Sequence, residues 1–200
     1  MLGGRSVRSL VTEIASLSCS HGHTKGLYDT FQWSSGSMSA KTQFTIRPVK
    51  ERDLPLVRTG VCETNWQDIP EDQRTLLKRE RCDQRAMDDF DRWSKDERFK
   101  FAVFVAAGGE DQPIGFISVG EMMNPCVGLP MGGILDFWVS PEFRRQGIGG
   151  ALFDFAMNWI RSMGYSHGTM MVSARNEAAV SLYRKKGFKV DRMLMAKAVK

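Results

Sequence analysis

The sequence predicts an α+β fold, and three observations carry that reading. Segments that alternate with a period of two and segments with helical spacing succeed one another in the order β-α-α-β-β-β-α-β-α-β. Residues 99–107 and 113–120, both rich in β-branched and aromatic side chains, are separated by the turn sequence Gly108-Gly109-Glu110-Asp111, so they form a hairpin. An apolar strand over 134–140 runs into a glycine-rich turn and then into an amphipathic helix. With 200 residues and 42% apolar content, the chain suits one globular domain and a short tail.

Residues 1–40 form that tail. They are rich in Ser and Gly, poor in charge and without a sustained period, and 34–39 read as a linker. A disordered N-terminal tail is expected, with Met38 as an alternative start. Arg5 and Arg8, with serines and no acid before Glu13, are faintly similar to an organellar transit peptide. A cytoplasmic protein is expected; an organellar location is the alternative if residues 1–37 act as a transit peptide.

The domain is expected over 41–200. Residues 43–47 alternate and carry Phe44 and Ile46, which predicts a strand. Asp53 reads as the cap of the next helix and Pro55 as a first-turn residue, with Leu54, Val57 and Val61 at helical spacing. Residues 71–98 interleave both charge signs around Leu76, Leu77, Met87, Phe90 and Trp93, which predicts one or two surface helices with a narrow buried stripe. Residues 122–133 contain Pro125, Gly128, Pro130 and a glycine pair, and read as a long loop. Ile148, Leu152, Phe155, Trp159 and Met163 mark the helix over 149–163. Residues 169–173 read as a strand, 176–186 as a helix stopped by Gly187, and 188–199 as a last strand.

Bulk properties narrow the function classes. The net charge of +5 is mild, the basic residues are spread through the chain, and no recognition motif accompanies them, so no specific nucleic-acid partner is expected. No apolar run approaches the roughly 18 residues of a membrane span. Cys19, Cys62, Cys82 and Cys126 form no CxxC pair, and His21, His23 and His167 complete no zinc spacing; no metal is expected, and reduced cysteines fit an intracellular protein.

The junction from strand 134–140 to helix 149–163 carries the chemistry. Pro141 ends the strand, and Arg144-Arg145-Gln146-Gly147-Ile148-Gly149-Gly150 leads into the helix. The first turn of a helix has unpaired N–H groups and a partial positive charge. Glycines let those groups approach a phosphate closely, and the arginines add charge at the rim. The segment is neither a Walker loop, since no Gly-Lys-Ser/Thr follows, nor a dinucleotide-binding fingerprint, since the spacing is Gly-x-Gly-Gly and the strand is not the first of the domain.

Arg144-x-x-Gly147-x-Gly149 resembles the (Gln/Arg)-x-x-Gly-x-(Gly/Ala) motif of the GNAT superfamily of N-acetyltransferases. Asn176-x-x-Ala179-x-x-Leu182-Tyr183-x-x-x-Gly187-Phe188 is similar to the helix and strand that follow in that family, and Leu135-Asp136-Phe137-Trp138-Val139-Ser140-Pro141 to its central strand. The motif match covers 134–190, and the strand order extends it from about 43 onward. The resemblance implies an α/β/α sandwich whose mixed, largely antiparallel sheet is splayed between two strands. It implies acetyl-CoA as co-substrate, its pyrophosphate on the backbone N–H groups of Arg145, Gln146, Gly147, Ile148, Gly149 and Gly150. The pantetheine arm would pair with the backbone of the strand bearing Phe137 and Val139, and Asn176 would bond its amide.

The reaction so implied is direct attack of a primary amine on the thioester, with a backbone N–H polarising the carbonyl. Tyr183 would protonate the departing thiolate, and Asp136 would accept the amine proton, with Glu121 as a second candidate base. The fold builds its acceptor groove mainly from about 53–98 and 122–133. The acceptor is left open among a small amine, a polyamine and a protein or peptide amine. Asp68, Glu71 and Asp72 are placed to attract a cation, and Trp138 is the tryptophan expected to touch the acceptor. A non-catalytic acyl-CoA-binding regulatory module of the same fold is the competing reading. A homodimer is a further expectation, because relatives sometimes complete the sheet with a partner's strand.

Overall fold

The computed structural model describes residues 43–96 and 100–197. The tail over 1–40, with its linker, transit-peptide and alternative-start readings, lies outside the described residues. Five strands form one sheet in the spatial order β1 (Thr45–Pro48), β2 (Phe101–Ala107), β3 (Pro113–Met123), β4 (Pro130–Val139) and β5 (Gly168–Met170). The first four are antiparallel neighbours and β5 runs parallel to β4. The helices are α1 (Leu54–Asp68), a single turn α2 (Glu71–Arg74), α3 (Arg79–Lys95), α4 (Ile148–Ser162) and α5 (Glu177–Lys185).

The strand period divides the core into two layers. Val57 and Val61 of α1, with Ala86 and Phe90 of α3, pack on Val103, Val105 and Phe116. Ile148, Leu152, Phe153, Ala156 and Ile160 of α4 pack on Phe104, Ile117, Val119 and Ile134 from the other face, and Tyr183 of α5 joins them. Lys186, at the end of α5, holds both carboxylate oxygens of Asp154 on α4 at 2.6 Å, which fixes the two helices together. Gly187 at φ 88° and the bond from Phe188 N–H to Tyr183 C=O (3.0 Å) end α5 as expected from the glycine.

Four sequence expectations change in the structure. Asp53 precedes α1, but its carboxylate does not cap it. Its oxygens accept from Arg47 (2.5 and 3.0 Å) and from the Lys50 N–H (2.7 Å), which turns them back toward β1. Leu76 and Leu77 are exposed, because they fall in the link between α2 and α3 and not on a helix face. Residues 122–133 are mostly strand: β3 and β4 pair out to Met123↔Pro130, which leaves only 124–129 as the connection. Across that extension Gly132 lies under Ile160 and Gly133 under Met122, so the glycines allow close packing and do not mark a loop. Residues 188–197 form no strand, and Val190, Met193, Leu194 and Met195 are exposed. β5 offers only three residues of edge, too little to pair a segment that long.

Gly60 sets the distance between α1 and the sheet. A Cβ there would stand 2.5 Å from Phe116 Cε1 and 2.9 Å from Trp138 Cβ and Cγ. Gly60→Ala is therefore expected to destabilise the domain by about 1–3 kcal/mol through overpacking, despite the better helix propensity of alanine. Urea unfolding with unchanged slope and a lower midpoint is the expected result.

Candidate active site

The site is built where β4 outlasts β5. The two strands pair only at Gly132↔Gly168, Gly133↔Thr169 and Ile134↔Met170. β4 then continues to Val139 with no strand beside it on that edge among the described residues. An extended chain with its own amides can pair there as an added strand.

β4 also carries an irregularity. Ile117 pairs with Phe137, but Val119 pairs with Ile134, so Ser118 stands opposite both Leu135 and Asp136. This is a β-bulge, and it turns two successive side chains to the α1/α3 face. Leu135 packs over Gly120 there. Asp136 is tied to Ser118 twice: its N–H donates to Ser118 Oγ at 2.8 Å, and Ser118 Oγ donates to Oδ2 at 2.9 Å. Ser118 is fully buried. Phe137 and Val139 face α4, and Trp138 faces α1, as alternation requires.

Asp136 opens into a cavity of about 230 Å³ between the sheet and α3, with Asn65, Asp89, Phe90 and Trp93 among its walls. Burial pushes the Asp136 carboxyl above the ordinary carboxylate range, and the Ser118 hydrogen bond only partly opposes it. Glu121 is on the other face of the sheet, where its carboxylate accepts from Tyr165 Oη at 2.5 Å, so it does not share this cavity. Trp138 also stays outside: it packs beneath α1 at Gly60, and its buried indole N–H has no partner among the described residues. Trp93 lines the cavity instead. Glu71 and Asp72 are exposed on α2, and Asp68 is exposed at the end of α1, its carboxyl pushed upward by partial desolvation against the pull of Arg175.

At the far end of β4 the chain makes a short 3-10 turn, Pro141–Phe143, and enters α4 through Arg144, Arg145, Gln146 and Gly147. Arg145 (φ 63°) and Gly147 (φ 87°) are both left-handed, and this reverses the chain so that the start of α4 lies beside the strand it left. Arg144 Nε donates to the Val139 carbonyl at 2.9 Å and Gln146 Nε2 to the Glu142 carbonyl at 3.0 Å, which pins the turn. The first helical bond runs from Ala151 N–H to Gly147 C=O. The N–H groups of Ile148, Gly149 and Gly150 come before it, and no side chain caps the helix. A Cβ on Gly149 would meet Phe137 Cζ at 3.1 Å, so this glycine seats α4 on β4; Gly147 and Gly150 face open space.

Tyr183 is buried on the α4 side and stacks on Phe153 with centroids 5.7 Å apart. Burial, with the negative charge of Asp68 second, pushes its hydroxyl up to about 12. It is therefore a proton donor throughout the neutral range. Asn176 caps α5, its Oδ1 accepting from Ala179 N–H at 3.2 Å, while its amide NH₂ remains a donor. Asp136 thus lies on the α1/α3 face of β4, Tyr183 in the core on the α4 side, and Asn176 at the start of α5. Ser118, Asn65 and Asp89 were not singled out by sequence; a serine inside the apolar run 113–120 was the available signal for the first.

Comparison with known proteins agrees with this architecture. The acetyltransferase (GNAT) family model matches residues 63–188. The chain is 30% identical over 88 residues to N-acetyltransferase family 8 member 3 of Rattus norvegicus, covering 44% of this chain and 39% of that relative. Among solved structures it is similar to a candidate acetyl transferase from Pyrococcus furiosus (TM-score 0.66, 21% identity, 78% of this chain and 100% of that one). It is also similar to an aminoglycoside N-acetyltransferase solved with CoA (TM-score 0.57, 18% identity, 81% of this chain and 99% of that one). On the family match, which runs from the last turns of α1 to just beyond α5, the chain belongs to the acetyltransferase (GNAT) family.

Proposed function

We propose that the protein transfers an acetyl group from acetyl-CoA to a primary amine by direct attack, and that it does so on the edge of β4. The observation that carries the reading is the edge of β4 over 135–139, which β5 leaves without a strand partner, leading into the start of α4, where the N-cap residue makes no side-chain hydrogen bond. A pyrophosphate on the N–H groups from Arg145 to Gly150 would find donors and the positive end of a helix. The arm between pyrophosphate and thioester would then lie along Phe137 and Val139, with Asn176 as a further amide partner. The aminoglycoside N-acetyltransferase solved with CoA is a fold relative, which supports the assignment.

The amine nitrogen attacks the thioester carbon from the α1/α3 side, where Asp136 lies. The carbonyl oxygen takes up negative charge beside a backbone N–H of β4. As the carbon–sulfur bond breaks, Tyr183 gives its proton to the sulfur from the other side, and Asp136 takes the proton of the new amide nitrogen. The two transfers balance, and solvent returns the proton from Asp136 to Tyr183. A purely regulatory acyl-CoA binder has no use for a proton donor at the sulfur, so Tyr183 favours catalysis.

Gly147→Val tests the cofactor cradle. The position is open but left-handed, so the substitution is expected to cost about 1–2 kcal/mol of stability and to weaken CoA binding at least roughly tenfold in calorimetry. Wild-type affinity in the folded variant would remove the cradle from the site.

Tyr183→Phe is expected to lower kcat about 10²-fold with little change in KM, measured as CoA thiol release under chemistry-limited conditions. Unchanged turnover would assign the acid role elsewhere.

Asp136→Asn separates function from stability. The folded carboxyl lies above its unfolded value, so stability is full below the ordinary Asp pKa and is lost as pH rises through the raised one. At pH 7 the asparagine variant is therefore expected to melt higher than wild type while losing about 10²-fold in kcat. In wild type kcat/KM should fall on the acid side with a midpoint above the ordinary carboxylate range. A Tm below wild type at pH 7 and unaltered rates would overturn both roles.

A further inference from the structure

The cavity beside Asp136 has a composition that selects among amines. Its walls are mainly apolar, with Phe90 and Trp93 from α3, Phe101 from β2 and Met122 from β3. Two carboxylates reach it. Asp89 is already neutralised on α3: its Oδ2 accepts from Arg85 Nε at 2.8 Å, and Oδ1 pairs with Arg92 Nη2 at 3.2 Å. Asp136 has only the Ser118 hydroxyl and its own strand around it, and no lysine or arginine pairs with it among the described residues. The cavity therefore offers one unmatched negative charge in an aromatic and thioether lining.

We propose that this cavity is the acceptor site and that its acceptor is a small primary monoamine with an apolar or aromatic body. The nitrogen lies beside Asp136 and the body against Phe90, Trp93 and Phe101. The inference rests on the acetyl-transfer reading above and goes further by naming the acceptor class. Size supports it, since about 230 Å³ lies below the ~300–1,000 Å³ typical of drug-sized ligand pockets. A saturated or aromatic body of modest size fills it, and a multi-ring sugar does not.

Charge supports it independently. A second ammonium, as in a polyamine or an aminoglycoside, would lie against the apolar wall without a counter-charge, and burying such a group unpaired is costly. The first ammonium gains from Asp136 and from the faces of the aromatic rings. Hydrophobic burial of the body then supplies the remaining affinity. This acceptor class differs from that of the aminoglycoside N-acetyltransferases that share the fold.

The test is steady-state CoA release by the full chain with acetyl-CoA and four amines: 2-phenylethylamine, ethylamine, spermidine and kanamycin. The expected result is kcat/KM for 2-phenylethylamine at least about tenfold above each of the others. A preference for spermidine or kanamycin overturns the acceptor class and leaves acetyl transfer standing. No turnover of any amine by protein that binds acetyl-CoA overturns both the acceptor class and the catalytic reading.

Trp93→Ala supplies a second measurement. It is expected to reduce the ratio of kcat/KM for 2-phenylethylamine over ethylamine at least about tenfold, with the acetyl-CoA Kd unchanged. An equal loss for the two amines would mean that Trp93 only supports the fold, and would overturn its contact with the acceptor.

Discussion

The parting of β4 from β5 after Ile134 and Met170 is the constraint on which the rest depends. Main-chain donors and acceptors are costly to leave unpaired, so a sheet normally closes such a gap or covers it. Here the gap lies toward one end of the sheet, between the ten-residue β4 and the three-residue edge strand β5. In the proposed reading the site borders it: the turn from Arg144 to Gly147 follows the open stretch of β4, the bulge at Asp136 opens it, and α5 carries Tyr183 and Asn176.

The two layers of the sandwich then acquire different tasks. The α4 layer is dense and aromatic, with Phe104 on Phe155 and Phe153 against both Tyr183 and Phe188. The α1/α3 layer is thinner. α3 is held to α1 by Arg79, which bonds Glu63 at 2.9 Å as well as Asp83 on its own helix, and otherwise by a narrow stripe of apolar residues. A cavity survives beneath it where the packing stops short of Asp136. In the proposed reading, donor and acceptor chemistry are thereby kept on opposite faces of one strand.

Local features of this arrangement were legible in the sequence. The amphipathic period of α4, the glycine-rich turn before it, the stop at Gly187 and the hairpin at Gly108 to Asp111 all depend on neighbours within a few residues, and each appears where the sequence put it. What escaped depends on pairing across the sheet. Gly132 and Gly133 look like loop residues until Ile160 and Met122 are seen pressed against them. Asp53 looks like a helix cap until Arg47 takes both its oxygens. Residues 188–197 alternate like a strand, but a strand also needs an edge long enough to receive it. Trp93 and Trp138 could be told apart only once α3 was docked, because both sit at regular positions within their own elements.

The bulge at Leu135 and Asp136 has a consequence for how this strand can vary. Ile134 and Phe137 both face α4, so removing one of the two residues between them would restore plain alternation without moving any other side chain to the wrong layer. The sheet itself does not need the additional residue. Its presence places two neighbouring side chains together above the cavity floor and bends the main chain toward the open edge. β4 thus carries one residue more than folding demands, and shortening it there would yield an intact sandwich with a mute centre.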